Sequence, residues 1–154
     1  YVATIQLGEI TNTLDTEGDI IETKPVPELT SEIIEKTIKT FLGKTFQIPP
    51  MFSAKKVKGQ RLYKLARKNI EVKREPVEIQ INEITLDKFS ENKLTFSATC
   101  SKGTYVRVLG KDIAEKLGTV GYLLSLTRTR VGGFCVEDSQ SLDEFQSSWI
   151  SSVS

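Results

Sequence analysis

The 154-residue chain contains no histidine, and that absence excludes more chemistry than any other feature of its composition. Ser-His-Asp and Cys-His nucleophiles are removed, and most zinc sites with them. Cysteine is nearly as scarce. Cys100 and Cys135 form no C-x-x-C and stand in apolar stretches, so buried free thiols are expected rather than a disulfide or redox pair. Reduced thiols in turn fit a cytoplasmic location. No apolar run approaches the ~18 residues a membrane span needs, so a membrane protein is not expected. The first residue is Tyr1, with no initiator Met and no signal-peptide pattern. Residues 2–7 already read as strand, so the chain is expected to start partway through a domain.

The hydrophobic and charged fractions, 38% and 27%, are ordinary for a globular domain, and the length suits one core. Net charge is only +1, but its distribution is uneven. From Tyr1 to Glu35 eight acidic residues face one base, Lys24. From Ala54 to Glu75 nine lysines and arginines face only Glu71 and Glu75. Such a block reads equally as a footprint for nucleic-acid phosphates or as a solvated basic surface.

Periodicity gives the elements. Ala3, Ile5 and Leu7 alternate with polar positions as a half-buried strand does. Turn residues follow at Asp15 to Asp19, then a loop through Pro25 and Pro27. Thr30 has the chemistry of a helix N-cap, with Glu32 and Glu35 in the acid-favouring first turn and Leu29 and Ile34 as a hydrophobic staple. Ile34, Ile38, Phe41 and Leu42 form one apolar face, and Gly43 ends the helix. Pro49-Pro50 keeps residues 47–58 extended, and a short basic helix is expected over about 61–68. Val77, Ile79 and Ile81 share a strand face, whereas Ile84 and Leu86 are out of phase with them, which predicts a bulge or bend. Leu94, Phe96, Ala98 and Cys100 form the strand that pairs with it as a hairpin. A helix with Val106, Leu109, Ile113 and Leu117 inward stops at Gly118. Residues 123–136 are mixed, with strand expected at their end, and 142–145 read as a last short helix. This irregular order of strands and helices argues for an α+β fold. One domain is expected over 1–146, and a frayed serine-rich tail over 147–154.

Two short matches carry little. Gly43-Lys44-Thr45 has the end of a P-loop, but Ile38 stands where a glycine is needed and the motif closes a helix instead of opening one. Ser53 and Lys56 fit S-x-x-K, yet in a basic, extended stretch nothing would desolvate the lysine, so a serine–lysine acyl enzyme is a remote alternative.

Three longer motifs are more specific. They are Thr11-x-Thr13-x-Asp15-x-x-Gly18, the run Gln47-Ile-Pro-Pro-Met-Phe-Ser53 continuing to Arg67, and Cys100-Ser-Lys-Gly-Thr-Tyr-Val-Arg107. After the last come a helix, a glycine and Leu126-Thr-Arg-Thr-Arg-Val-Gly132. In order and spacing they resemble the TruB family of tRNA pseudouridine synthases, from Tyr1 to about Phe145. The resemblance implies a pseudouridine-synthase-type catalytic domain, a mixed or antiparallel sheet flanked by helices, of which this is the C-terminal part. It implies isomerisation of uridine 55 in the tRNA T-loop, with the T-arm as partner, a monomeric protein, and neither metal nor organic cofactor.

By the same resemblance Tyr105 contacts the target base, Tyr1 lies against the uracil ring, and Leu126 meets the base edge through its backbone. Arg107 pairs with the catalytic aspartate, a role suited to a guanidinium's bidentate fork. On the residues alone, Tyr105 reads rather as a core aromatic and Arg107 as a surface ion-pair partner, and it is the resemblance that reverses both. Lys55, Lys56, Lys58, Arg61 and Lys64 fit an element that closes over RNA, and Lys102 and Arg128 complete the expected RNA contacts. Flipping a stacked uridine out costs a few kcal/mol, and stacking on an aromatic ring, worth ~1–3 kcal/mol per base, offsets much of it.

The sequence also departs from the family. Its nucleophilic aspartate lies in a G-x-L-D-P-x-A-T-G segment upstream of the position matched by Tyr1, and the 154 residues contain no such segment. Asp15 in a turn and Asp112 in a helix are not credible substitutes. The chain alone is therefore expected to be inactive, and the alternative is a non-catalytic RNA-binding protein of the same fold. Thr127 replaces a frequent arginine, and the PUA domain that many relatives carry is also not expected here.

Overall fold

A computed structural model describes residues 1–53, 56, 57, 59–66, 68, 70 and 72–153. In chain order the elements are β1 (Val2–Leu7), β2 (Glu9–Thr11), β3 (Ile20–Thr23), α1 (Ser31–Lys39), β4 (Gly43–Gln47), β5 (Lys56–Val57), β6 (Gln60–Arg61) and α2 (Leu62–Ala66). There follow β7 (Val77–Ser90), β8 (Lys93–Cys100), α3 (Val106–Lys116), β9 (Gly121–Thr127), β10 (Arg130–Val131), β11 (Phe134–Cys135), a 3₁₀ turn (Val136–Asp138) and α4 (Leu142–Val153). The fold is α+β. Five strands form one antiparallel sheet in the order β4-β7-β8-β1-β9.

Alternation in β1 aims Ala3, Ile5 and Leu7 at the core, each at most 1% exposed. The long hairpin β7–β8 has the phase change that the sequence implies. A register shift between Ile81 and Glu83 returns Ile84 to the buried face, and a second between Leu86 and Lys88 does the same for Phe89. Two bulges thus let a 14-residue strand keep its apolar side inward.

Both longer helices of the core lie on this sheet. Thr30 caps α1, its hydroxyl accepting from the Ile33 N–H at 3.2 Å, and Ile34 and Ile38 are fully buried beneath it. Helix α3 approaches β1 and β9 closely because two positions lack side chains. A Cβ on Gly110 would stand 2.6 Å from the Ile5 side chain, and one on Gly121 would stand 2.7 Å from the Ala114 Cβ. Phe96, Leu94, Leu109 and Ile113 complete the core, each burial contributing about 1.5–3 kcal/mol.

Several expectations are corrected. Residues 43–47 form an edge strand, β4, pairing from Gly43↔Ile81 to Gln47↔Val77. Its alternation is masked because one of its faces is open to solvent, with Phe46 67% exposed. Leu42 is exposed rather than part of the α1 core face, since the helix ends at Lys39. The basic helix is shorter than expected, Leu62–Ala66. Strand structure in 123–136 comes mainly at the start, where β9 can pair with β1. Helix α4 continues to Val153, so the serine-rich segment expected to fray is helical. Ser141 caps it, with its hydroxyl accepting from the Glu144 N–H and donating to the Glu144 carboxylate. Among the described residues no helix is long and apolar enough to cross a membrane.

Candidate active site

The site candidates fall into two groups, one around Tyr105 and Arg107 at the start of α3 and one around Tyr1 and Arg128 at the ends of β1 and β9. The β8–α3 connection is drawn tight by serine and threonine. Ser101 exchanges hydrogen bonds with Gln80 through both its N–H and its hydroxyl, at 2.8 and 2.9 Å, and the Thr104 hydroxyl donates to the Ser101 carbonyl at 2.9 Å. Gly103 takes a positive φ of 82° to make the turn.

Tyr105 follows as the N-cap residue of α3, but its own side chain makes no capping bond. Its backbone is held from outside. The Gln47 side chain, 3% exposed at the end of β4, accepts from the Tyr105 N–H at 3.0 Å and donates to the Tyr105 carbonyl at 3.3 Å.

Two residues further on, in the first turn of α3, Arg107 reaches across to two loops. Nη1 donates to the Asp15 carboxylate at 2.7 Å and to the Thr13 carbonyl at 3.1 Å, and Nη2 donates to the Phe52 carbonyl at 2.7 Å. The ion pair is about four-fifths buried on each side, with 23% and 22% of the side chains exposed. Asp15 is itself fixed by its turn. Its other carboxylate oxygen accepts from the Thr13 hydroxyl at 2.6 Å and the Glu17 N–H at 3.1 Å, while its carbonyl accepts from the Thr11 hydroxyl at 2.7 Å. Gly18 is required in this turn because a Cβ there would collide with Asn12 and Thr13.

The pairing changes the reading of Asp15. It is a turn residue, as its motif suggests, and it is also the carboxylate that Arg107 holds within this chain. Its alternation with Thr11 and Thr13 signals the turn, but nothing in the sequence links it to a residue 92 positions away. Gln47 opens one of the motifs, but for a similar reason nothing in the sequence links it to Tyr105, 58 positions away.

Tyr1 and Arg128 occupy the rim. The Tyr1 amino group donates to the Ala98 carbonyl and its carbonyl accepts from the Ala98 N–H, each at 2.9 Å. The Arg128 guanidinium lies over the Tyr1 ring, 5.2 Å from its centre, a cation–π contact worth about 0.5–1 kcal/mol at an exposed site. These two residues share a concavity of about 340 Å³ with Lys102, Gly103 and Arg130. Leu126, 44% exposed, stands on β9 opposite Ala3, next to this rim. Lys64 is exposed on α2. Lys55 and Lys58 lie outside the described residues, as do the side chains of Lys56 and Arg61, whose backbones pair in β5–β6. The Ser53 of the S-x-x-K match is buried.

One turn beyond Arg107, Lys111 pairs with Glu115 at 2.8 Å and Asp112 at 3.4 Å. Burial works to lower the Lys111 pKa, but the bonds and charges of Glu115 and Asp112 outweigh it and the net shift is upward. Asp112 is also raised, because burial outweighs its attraction to Lys111. The Glu115 contact is the shorter of the two. Among the described residues no group of three or more Cys, Asp or Glu side chains is placed to hold a metal.

The sequence model of the TruB family pseudouridylate synthase N-terminal domain matches residues 1–106. The tRNA pseudouridine synthase B of Nitrosococcus oceani is 44% identical over 146 residues, covering 95% of this chain and 47% of that protein. That of Bacteroides fragilis is 48% identical over 137 residues, covering 89% and 59% respectively. The chain therefore spans about half the length of the curated relatives it matches. Among solved structures, a chain in a Cbf5–Nop10–Gar1 complex superposes with a TM-score of 0.60 at 22% identity, over 88% of this chain and 30% of that one. A chain of an H/ACA RNP bound to a substrate RNA containing 2′-deoxyuridine gives 0.54 at 18% identity, over 88% and 28%. At such identities the likeness is one of fold.

Proposed function

This chain belongs to the TruB family of pseudouridylate synthases, and we propose that the protein carrying it isomerises uridine 55 in the T-loop of tRNA. The target uridine leaves its stack and enters at the rim, where Tyr1 and Tyr105 offer aromatic faces and Leu126 its backbone. Lys102 and Arg128, with the lysines and arginines of 55–64, neutralise phosphates. The N1–C1′ bond of the nucleotide breaks, the uracil turns, and a C5–C1′ bond forms. The proton displaced from C5 is balanced by the one gained at N1, so nothing is consumed. A carboxylate beside the sugar supports this exchange.

The observation that carries the reading is the anchoring of Arg107 by Asp15, Thr13 and Phe52, two residues from Tyr105. A guanidinium has five N–H donors, and with three of them anchored here the others are, among the described residues, free to orient a second carboxylate. With the G-x-L-D-P-x-A-T-G segment outside these 154 residues, the nucleophile comes from another part of the protein, and the chain alone is inactive. The reaction needs no metal or organic cofactor, and a monomer working in the cytoplasm on the T-arm suffices.

The test is to compare the full-length protein with the 154-residue chain on unmodified tRNA and to map pseudouridine by mass spectrometry. The full-length protein should convert one T-loop uridine and the chain none. Salt-sensitive binding by the full-length protein without product would overturn the proposal in favour of a non-catalytic RNA-binding protein.

A further inference from the structure

Gln47 is a buried polar side chain with an uncommon use. It lies at the end of an edge strand, 3% exposed, and spends both halves of its amide on the backbone N–H and carbonyl of one residue 58 positions away. That residue is Tyr105, whose own side chain does not cap α3. The chain leaving Gln47 is then fastened twice more. The Pro49 carbonyl accepts from Arg74 at 3.1 Å, and the Phe52 carbonyl accepts from Arg107 Nη2 at 2.7 Å. Residues 47–52 therefore form a strap whose one end fixes the Tyr105 backbone and whose other end holds the Arg107 side chain.

We propose that Gln47 is a positioning residue of the active site, setting the Tyr105 ring relative to the Arg107 guanidinium through its paired hydrogen bonds to the Tyr105 backbone. This rests on the proposed function. The amide suits the task because it both donates and accepts in one plane. An ionised carboxylate of the same length can accept from the Tyr105 N–H but would face the Tyr105 carbonyl without a proton, whereas a protonated carboxyl restores both bonds. Burial raises the pKa of a carboxyl introduced there. A base-stacking ring displaced by even ~1 Å costs on the order of 100-fold in rate.

The experiment measures single-turnover rate and RNA affinity for the full-length protein, wild type, Gln47→Ala and Gln47→Glu, on a T-arm transcript between about pH 5.5 and 8.5. Thermal unfolding of each variant reports whether it folds. The expected result is a rate loss of roughly 10- to 100-fold in Gln47→Ala at every pH, with RNA affinity within about threefold of wild type. Gln47→Glu should match that loss at high pH and recover toward the wild-type rate as pH falls, a pH-dependence that a merely structural role does not produce. Wild-type rates in both variants would overturn the inference. So would a loss confined to RNA affinity, or a Gln47→Glu profile parallel to that of Gln47→Ala. An inactive wild-type protein would instead overturn the proposed function, and this inference with it.

Discussion

The two halves of the candidate site are built on opposite plans. Around Arg107 and Tyr105, polar groups are largely buried and paired with fixed backbone: three carbonyls or carboxylates on Arg107, and a whole amide on the Tyr105 backbone. Around Tyr1, Lys102 and Arg128, charges stand in solvent and one cation–π contact joins two of the side chains. In the first region the chain itself supplies the partners that anchor Arg107 and the Tyr105 backbone. In the second it leaves charge and aromatic surface open to solvent, the surface that the proposed function gives to RNA. Positioning chemistry and capturing substrate make different demands, and on the proposed function the two regions answer one each.

The comparison breaks most readily at Arg107. Arg107→Ala leaves Asp15 without its cation and two carbonyls without their donor. Discounting the pair for its partial exposure, the cost to the chain is ~2–3 kcal/mol, measurable by urea unfolding. If this region were as loosely held as the rim, the change would fall below ~0.5 kcal/mol. Asp15→Asn is expected to cost less, ~1–2 kcal/mol in the same assay, because the amide oxygen can still accept from Thr13 and Glu17 while the charge on Arg107 goes unanswered.

At the rim the balance between stability and binding reverses. Arg128→Ala should leave unfolding within ~1 kcal/mol of wild type. It should weaken tRNA binding by the full-length protein and reduce the salt-dependence slope by about 1, read from a titration at several salt concentrations. The smallest effect belongs to Lys111. Its folded-state pKa is raised above the ordinary lysine value, so its contribution is complete below that value and is lost as pH rises through the raised one. A Lys111→Met variant should therefore lie slightly below wild type in unfolding midpoint at neutral pH, with the gap narrowing as alkaline pH deprotonates the folded-state lysine.

How far the sequence discloses these features depends on how local they are. The phase change between Ile81 and Ile84, the Thr30 cap and the Gly118 stop are written in neighbouring residues, and they were legible. Edge strand β4 was not, because solvent on one side leaves Phe46 exposed and blurs the alternation. Tyr105 and Arg107 could be nominated from their motif. Asp15 and Gln47 could not be joined to them, since each bond spans more than fifty residues and depends on how loops stack over the end of α3. Length of the last helix was also hidden, because serine is neutral in a helix and the sequence has no breaker between Leu142 and Val153.

The central claim is that the anchored Arg107 guanidinium serves the chemistry and not the capture of RNA. Its most direct test is single-turnover pseudouridine formation by the full-length protein carrying Arg107→Lys, measured beside wild type together with affinity for a T-arm transcript. Lysine keeps the charge but cannot supply two Nη donors to Asp15 and Phe52 at once. A rate loss of roughly 100- to 1,000-fold with affinity within about threefold is the predicted result. A rate within about tenfold of wild type, or a loss seen only in binding, would contradict the account.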